Sequence, residues 1–272
     1  MFKNPQSMIR TVMAIMLMIG VAWFQQRMRR TPVERTPDAA PQAISDASTP
    51  VTPVDASASK PQPAAARRGP KVASGDFDFY LLSLSWSPAF CSSDAGSGRD
   101  GDTQCRSGRP YGFVLHGLWP QNEVGYPENC DSAEPREVSG DIVSEVLKIA
   151  PSRGLIQHEW QKHGTCTALS QIDYFATAAK AMQSVKIPKP YRRPREIVRV
   201  TGDELRDAFL AENPALEQED IIVTCRRNEL GEVRVCLDKG LKPRACSRET
   251  MKSHCGGREA RMKAVRENWP RN

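Results

Sequence analysis

Residues 157–166, QHEWQKHGTC, hold the densest set of chemically active side chains in the sequence. His158 and His163 stand together with Glu159 and Lys162 within six positions. An α-helix turns by about 100° per residue, so a helix here would place these four side chains in two adjacent columns. An imidazole that transfers protons, beside a carboxylate and a cation, suits a negatively charged transition state. Phosphoryl transfer is the first such reaction to consider.

Two other interpretations of this stretch compete with the catalytic one. Zinc hydrolases place two histidines four residues apart on one helix, whereas His158 and His163 are five apart, about 140° around a helix. The spacing therefore disfavours a shared zinc ion. A solvated helix face with ordinary pairs four residues apart is the other interpretation. Composition alone leaves it as strong as the catalytic one.

A second candidate for chemistry is His116, which lies in FVLHGLWP at 113–120. The apolar run at 111–115 predicts a short buried strand, and a polar residue at the end of a strand is well placed to line a cleft. Gly117 permits a close backbone approach, and Trp119 offers a face on which a base can stack. Taken alone, the motif favours a histidine that is satisfied beside a core tryptophan.

The N-terminal part of the chain differs in composition from the rest. Residues 11–24 form an uncharged apolar run after Lys3 and Arg10, which is typical of an export signal. The run has 14 residues, short for a membrane-spanning helix, so an uncleaved signal anchor and a cleaved signal peptide are both open. Residues 31–75 are rich in Pro, Ala, Ser and Thr, which predicts a disordered linker.

We therefore predict an export segment at 1–30, a linker, and one folded domain at 76–272. The folded domain is expected to be a monomer that is periplasmic or secreted, or tethered to the inner membrane by residues 11–24. The first 74 residues contain ten basic and four acidic residues, and the remainder contains 28 of each. The basic net charge is therefore no argument for nucleic-acid binding. Basic clusters at 186–199 and 239–271 are more typical of solvated faces than of phosphate contacts.

The folded part mixes strand, helix and hairpin patterns, which predicts an α+β fold. Strands are predicted at 77–86, 111–115, 221–225 and 232–237, and helices at 137–150, over the 157–166 stretch, at 172–185 after a Ser170 cap, and after Thr201. All eight cysteines lie between positions 91 and 255, and an even number in an exported chain predicts four disulfides. His254, in the basic tail, is predicted to be structural or exposed.

Taken together, the two histidine motifs point to a family. FVLHGLWP, followed some forty residues later by HEWQKHGTC, resembles the two active-site segments of the ribonuclease T2 family, and LSLSWSPAFC at 82–91 resembles its first core strand. The resemblance spans residues 76–255. It implies an exported bacterial member with one α+β domain, in which helices flank an antiparallel sheet. It also implies cleavage of single-stranded RNA with little base preference.

The resemblance assigns roles to six residues. It implies an acid/base pair of His116 and His163, a third catalytic residue at Glu159, phosphate contacts from His158 and Lys162, and base stacking on Trp119. Two positions depart from the family pattern. Gln121 stands where some members carry an acid, and Tyr126 is only approximately placed for a second stacking ring, which leaves the base preference open.

The implied reaction is attack by the ribose 2′-OH on the adjacent phosphorus, giving a 2′,3′-cyclic phosphate and a 5′-OH. We expect His163 to be the base and His116 the acid, with no metal and no cofactor. One rival is a binding protein that uses the cleft without cutting. The other is a metal-dependent phosphoesterase whose ligands are His116, His158, Glu159 and His163.

The cysteine pairing is predicted with the family pattern in view. The predicted pairs are Cys91 with Cys105, Cys130 with Cys166, Cys225 with Cys255, and Cys236 with Cys246. The second pair would tie the two active-site segments together.

Overall fold

A six-stranded sheet lies at the centre of the part of the chain that the structure describes. The computed structural model describes residues 74–270, so the predicted export segment and nearly all of the linker lie outside the described residues. The strands are β1 (Phe79–Trp86), β2 (Phe113–Gln121), β3 (Val198–Thr201), β4 (Ile221–Arg226), β5 (Glu229–Leu237) and β6 (Glu259–Met262). Their order is β2-β1-β5-β6-β3, and β4 also pairs with β5.

Helices flank the sheet, as an α+β fold requires. They are α1 (Ser87–Cys91), α2 (Asp94–Ser97), α3 (Asp102–Cys105), α4 (Gly140–Val146), α5 (Arg153–Lys162), α6 (Gln171–Ser184), α7 (Lys189–Arg192), α8 (Gly202–Glu212) and α9 (Arg248–Met251), with 3-10 turns at Arg99–Gly101, Gly164–Cys166 and Gln218–Asp220. The side chains of Ser152, Ser170 and Thr201 accept backbone hydrogen bonds at the starts of α5, α6 and α8. Such caps satisfy N–H groups that the first turn of a helix leaves unpaired, and two of the three were predicted.

The strand pairings are antiparallel except for that of β5 with β6. This parallel pairing consists of one residue pair, Glu229 with Arg261. β1 pairs with β5 only from Glu232 onward. The first residue of β5, Glu229, is therefore free to pair with β6, which runs parallel to β5 there. The sheet is mixed rather than wholly antiparallel.

Two helices are fixed on β2 by large buried side chains. Trp160 of α5 and Tyr174 of α6 are both fully buried and contact each other with ring centroids 5.8 Å apart. The Tyr174 hydroxyl donates a 3.1 Å hydrogen bond to the carbonyl of Leu118 in β2. Because a buried tyrosine hydroxyl needs a partner, this hydrogen bond fixes the position of α6 on β2. The packing of Trp160 against Tyr174 then fixes the position of α5.

Strand β2 is longer than the predicted strand at 111–115. It continues to Gln121, where it pairs with Phe79 of β1. Pro120 is tolerated within it because β2 lies at the edge of the sheet, where a missing N–H costs no ladder bond. The prediction that His116 stands at the end of its strand is therefore wrong, since His116 lies in the middle of β2.

The eight cysteines form four disulfides, and these are the four pairs predicted from the sequence. The pairs are Cys91–Cys105, Cys130–Cys166, Cys225–Cys255 and Cys236–Cys246. The second joins the loop after β2 to the turn after α5. Over residues 74–270, no helix is both long enough and apolar enough to cross a membrane.

Candidate active site

His116 enters the site through an irregularity in β2. Along the β1–β2 ladder, Ser83 pairs with Gly117 and Leu84 pairs with Leu115, which leaves His116 as an extra residue opposite no partner. A bulge of this kind bends the strand and turns a side chain out of the regular alternation. The His116 side chain is 32% exposed, and it faces the cleft that β2 forms with α5.

Glu159 lies where α5 crosses β2, almost completely buried at 3% exposure. The crossing is close because Gly117 has no side chain. A Cβ atom at position 117 would lie 2.0 Å from Oε2 of Glu159 and 2.5 Å from Nε1 of Trp119. The glycine predicted to permit a close approach is thus needed for the approach of a catalytic candidate.

Trp119 connects the other candidate residues. Its indole N–H donates a 2.6 Å hydrogen bond to Oε2 of Glu159. Its ring stacks on that of His163, with centroids 5.3 Å apart and planes at 29°, and meets the ring of His116 edge to face, with centroids 5.1 Å apart. The tryptophan predicted to bind a base therefore also fixes the carboxylate and both imidazoles relative to one another.

His163 is the C-cap residue of α5 rather than part of its last turn. Glycine is a common residue just after a helix end, but α5 ends at Lys162, His163 is its C-cap, and Gly164 begins a 3-10 turn. Gly164 is needed for another reason, since a Cβ there would lie 2.3 Å from the ring of Trp160. His163 is 6% exposed, and within residues 74–270 its Nδ1 has no hydrogen-bond partner.

All six residues predicted for the site line one open cleft of about 440 Å³. These residues are His116, Trp119, His158, Glu159, Lys162 and His163. Lys162 lies at the mouth, with Nζ 3.5 Å from Oε2 of the half-exposed Glu128. Gln121, Tyr126 and Glu249 also line the cleft. The sequence motifs therefore converge in space, although they come from an edge strand and a helix.

Two residues of β5 that sequence reasoning missed complete the site. Glu232 contacts Nδ1 of His116, and Arg234 donates to the other oxygen of Glu232 through Nε at 2.7 Å and Nη2 at 2.5 Å. The Arg234 guanidinium also lies over the Trp119 ring, 5.0 Å from its centroid. The charged residues alternate with Val233 and Val235 along the predicted strand, a pattern that indicates an outer face in contact with water rather than with a histidine.

The surroundings of His163 and His116 shift the pKa values of the two imidazoles in opposite directions. Burial lowers the pKa of His163 to about 3, and the charge of Lys162 acts in the same direction. Burial also disfavours the charge on His116, but the hydrogen bond and charge of Glu232, helped by Glu159, outweigh it and raise the pKa of His116. Near neutral pH, His163 is therefore neutral, and His116 holds its proton more firmly than an ordinary histidine does.

The pKa values of the two carboxylates, Glu159 and Glu232, are also shifted in opposite directions. Burial raises the pKa of Glu159 to about 7, only partly offset by His116 and by the hydrogen bond from Trp119. Burial also acts to raise the pKa of Glu232, but the bonds and charges of His116 and Arg234 lower it to about 2. Pairs of like groups driven in opposite directions are typical of acid/base sites. The cleft therefore holds one imidazole with a lowered pKa and one with a raised pKa, beside one carboxylate with a raised pKa and one with a lowered pKa.

His158 differs from the other two histidines of the cleft in being more open to solvent. Burial and then the charges of Lys162 and His116 lower its pKa. At neutral pH its imidazole is therefore neutral. Over residues 74–270, no group of three or more His, Cys, Asp or Glu side chains is arranged to hold a metal ion.

Comparison with known proteins identifies the family. The model of the ribonuclease T2 family matches residues 77–246. A ribonuclease from Aeromonas hydrophila is 43% identical over 123 residues, which are 43% of this chain and 51% of that protein. A probable ribonuclease from Haemophilus influenzae is 34% identical over 174 residues, which are 60% of this chain and 58% of that protein. The chain thus matches between half and three fifths of the length of these relatives.

Solved structures agree on the fold. An RNase-related protein from Calystegia sepium aligns with a TM-score of 0.56 and 21% identity, covering 70% of this chain and 98% of the other. Japanese pear S3-RNase aligns with a TM-score of 0.50 and 22% identity, covering 68% and 100%. At these identities the likeness establishes the fold alone. Because the family model covers more than half of the sequence and includes both histidine motifs, this chain belongs to the ribonuclease T2 family.

Proposed function

We propose that the protein is an exported endoribonuclease that cleaves single-stranded RNA with low base specificity and without a metal. The observation that carries the proposal is the pair of imidazoles on Trp119. His163 has a lowered pKa and His116 a raised one, so a base and an acid coexist in one cleft over a wide range of pH. Membership of the ribonuclease T2 family supports RNA as the substrate.

In the proposed reaction, neutral His163 takes the proton of the ribose 2′-OH, and the 2′-oxygen attacks the adjacent phosphorus. The bond from phosphorus to the 5′-oxygen breaks as the new bond forms. Protonated His116 gives its proton to the leaving 5′-oxygen. The products are a 2′,3′-cyclic phosphate and a free 5′-OH, with no water consumed in this step.

Charge on the phosphoryl oxygens is stabilised by three groups of α5. The ammonium of Lys162 stands at the mouth of the cleft and supplies a positive charge. With its pKa near 7, Glu159 is protonated in mildly acidic solution and can share its proton with a phosphoryl oxygen. His158 donates a neutral hydrogen bond. Such groups, fixed in advance on a rigid helix, stabilise a developing negative charge most effectively where burial excludes water.

The proposed base preference is weak because the groups near the cleft mouth are sequence-tolerant. Tyr126 is 51% exposed and lines the cleft, so its ring can stack on any base, whereas the Trp119 ring already contacts His163 and Arg234. Gln121 donates its side-chain N–H to the carbonyl of Pro120 at 3.0 Å. That bond leaves the amide oxygen and the second N–H for a base, where some family members carry a carboxylate.

We also propose that the folded domain works outside the cytosol, in the periplasm or beyond it, or anchored to the inner membrane by residues 11–24. The four disulfides support this, because they form in oxidising compartments. A reporter that is active only outside the cytosol, fused after residue 272, should be active. Activity from a cytosol-dependent reporter at the same position would contradict the proposal.

Digestion of single-stranded RNA with and without EDTA tests the proposed activity. We expect an unchanged rate in EDTA, and a rate lowered by roughly 10²- to 10⁴-fold in His163→Ala. A matched pair of variants is Lys162→Ala, which should slow turnover, and Lys148→Ala, which should not, since Lys148 pairs with Glu145 and does not line the cleft. Loss of cleavage in EDTA would indicate a metal-dependent phosphoesterase. RNA binding without cleavage would indicate a binding protein.

A further inference from the structure

The imidazole of His116 is held from two sides. Its Nδ1 contacts Oε1 of Glu232 on β5, and its Nε2 lies 3.6 Å from Oε1 of Glu159 on α5. Nε2 is thus the ring nitrogen on the side of α5, whose Glu159 lines the cleft. The contact with Glu232 therefore decides which ring nitrogen is buried in an ion pair and which is left for the substrate.

Glu232 is itself fixed more firmly than a surface carboxylate would be. Its side chain is 13% exposed, and its backbone N–H donates to Oγ1 of Thr224 on β4 at 3.1 Å. Arg234 holds its second oxygen with two donors, Nε and Nη2. The carboxylate projects from a strand that is hydrogen-bonded on both sides, to β1 and to β4.

We propose that Glu232, braced by Arg234, is the positioning residue of His116: it accepts the Nδ1 proton and thereby directs Nε2 into the cleft as the proton donor. A ring nitrogen that donates to a fixed carboxylate sets the tautomer and orientation of the other nitrogen. The carboxylate also stabilises the imidazolium, which is the form that a general acid requires. This inference rests on the proposed function for its kinetic consequence, but its structural content is independent of RNA cleavage.

The charges around His116 determine in which direction each substitution shifts its titration. The charged and titratable groups that interact with it are Glu232 and Arg234 from β5, His158 and Glu159 from α5, and His163 at the C-cap of α5. Lys162 lines the same cleft. If Glu232 becomes glutamine, the cation of Arg234 remains and Glu159 is the one carboxylate left in this set, so the imidazolium is less stable. If Arg234 becomes glutamine instead, a repelling cation is removed while Glu232 stays. The two substitutions should therefore move the titration of His116 in opposite directions.

The test is an NMR titration of the imidazole nitrogens in the full, disulfide-bonded chain, which has four histidines to resolve. The wild-type protein should keep a proton on Nδ1 of His116 in its neutral form and should titrate above an ordinary histidine. Glu232→Gln should lower the titration midpoint of His116 by about one pH unit or more, and Arg234→Gln should raise it. Glu229→Gln is the matched control, because Glu229 lies on the same strand and pairs with Arg261 and Lys263 away from the cleft.

The same variants are then assayed on RNA. The alkaline limb of kcat/KM should move to lower pH in Glu232→Gln, to higher pH in Arg234→Gln, and remain in place in Glu229→Gln. The inference is overturned if Glu232→Gln leaves both the His116 midpoint and the alkaline limb unchanged. If Glu232→Gln does not fold, Glu232→Asp decides: the shorter side chain withdraws the carboxylate from Nδ1, so the His116 midpoint should fall, and an unchanged midpoint overturns the inference. Titration shifts in a protein that cleaves no RNA would refute the proposed function and leave this inference standing.

Discussion

Trp119 donates its indole N–H to Oε2 of Glu159 at 2.6 Å, joining an edge strand to a helix at the point where both carry catalytic candidates. The same ring stacks on His163. Both the nitrogen and part of the ring are thus already engaged before any substrate enters the cleft. A residue that the family pattern assigns to base stacking has a second role here, in holding the acid/base groups in place.

The first prediction separates these two roles of Trp119. Trp119→Phe keeps an aromatic face for stacking but removes the donor to Glu159, and we expect kcat to fall about 10-fold with little change in KM. Tyr126→Ala, which removes an exposed ring at the cleft, should mainly raise KM. Steady-state kinetics on a dinucleotide substrate measure both. An unchanged kcat with a raised KM in Trp119→Phe would show that stacking is its main role.

The second prediction concerns the close crossing of β2 and α5. Gly117→Ala places a Cβ atom 2.0 Å from Oε2 of Glu159 and 2.5 Å from Nε1 of Trp119, so these two side chains must shift and the hydrogen bond between them is disturbed. We expect the free energy of unfolding to fall by roughly 1–3 kcal/mol and most activity to be lost. Gly140→Ala is the control, since its Cβ would meet nothing within 4 Å. Urea unfolding checks both, and wild-type stability and activity in Gly117→Ala would contradict the described crossing.

The third prediction is the pH profile of the reaction. The proposed reaction requires neutral His163, whose pKa is lowered to about 3, and protonated His116, whose pKa is raised. The acid limb of kcat/KM should therefore lie below the pKa of an ordinary histidine, and the alkaline limb above it. Rates measured from about pH 3 to about pH 10 test this. A narrow bell with both limbs close to the ordinary histidine value would mean that the cleft leaves the two imidazoles unperturbed.

The fourth prediction links the site to stability. Glu159 loses its proton near pH 4.5 in the unfolded chain and near pH 7 in the folded one. Between these values the folded state holds a proton that the unfolded state has lost, so this group's contribution to stability falls as the pH rises. Glu159→Gln should therefore be more stable than wild type by roughly 1–3 kcal/mol above pH 7, with no gain below pH 4.5.

Thermal and urea unfolding at acid and at alkaline pH measure this difference. Glu145→Gln, which removes a carboxylate paired with Lys148 outside the cleft, should show no such dependence on pH. A gain in Glu159→Gln that is the same at both pH values would indicate a packing effect instead. A loss at alkaline pH would mean that the buried charge is stabilising.

The motif residues could be predicted because their placement is local. His158, Glu159 and Lys162 follow from helical spacing, and the polar caps at Ser170 and Thr201 fix the helices that come after them. His254 could also be predicted as structural. Its Nδ1 accepts from the backbone of Val223 at 3.0 Å, which fixes the ring within the fold.

The contacts of His116 could not be predicted in this way. Its direction depends on a bulge in the β1–β2 ladder, and its partner Glu232 lies 116 positions later in the sequence. Ser83 of β1 pairs with Gly117 on one side and Arg234 on the other, so the register of three strands brings β5 to the site. Register is decided by packing of the whole sheet. Alternation along the chain alone does not distinguish a charged strand face that meets water from one that meets a histidine.

The nature of the products tests the central claim most directly. If the 2′-oxygen of the substrate is the nucleophile, mass spectrometry of digested RNA should find 2′,3′-cyclic phosphate and 5′-OH ends, in EDTA as well as without it. A substrate in which the sugar that carries the scissile phosphate on its 3′-oxygen is 2′-deoxyribose should remain uncut, because it lacks the attacking 2′-OH. Products with 5′-phosphate ends, or cleavage of the deoxy substrate, would show that water attacks the phosphorus and would contradict the roles assigned to His116 and His163.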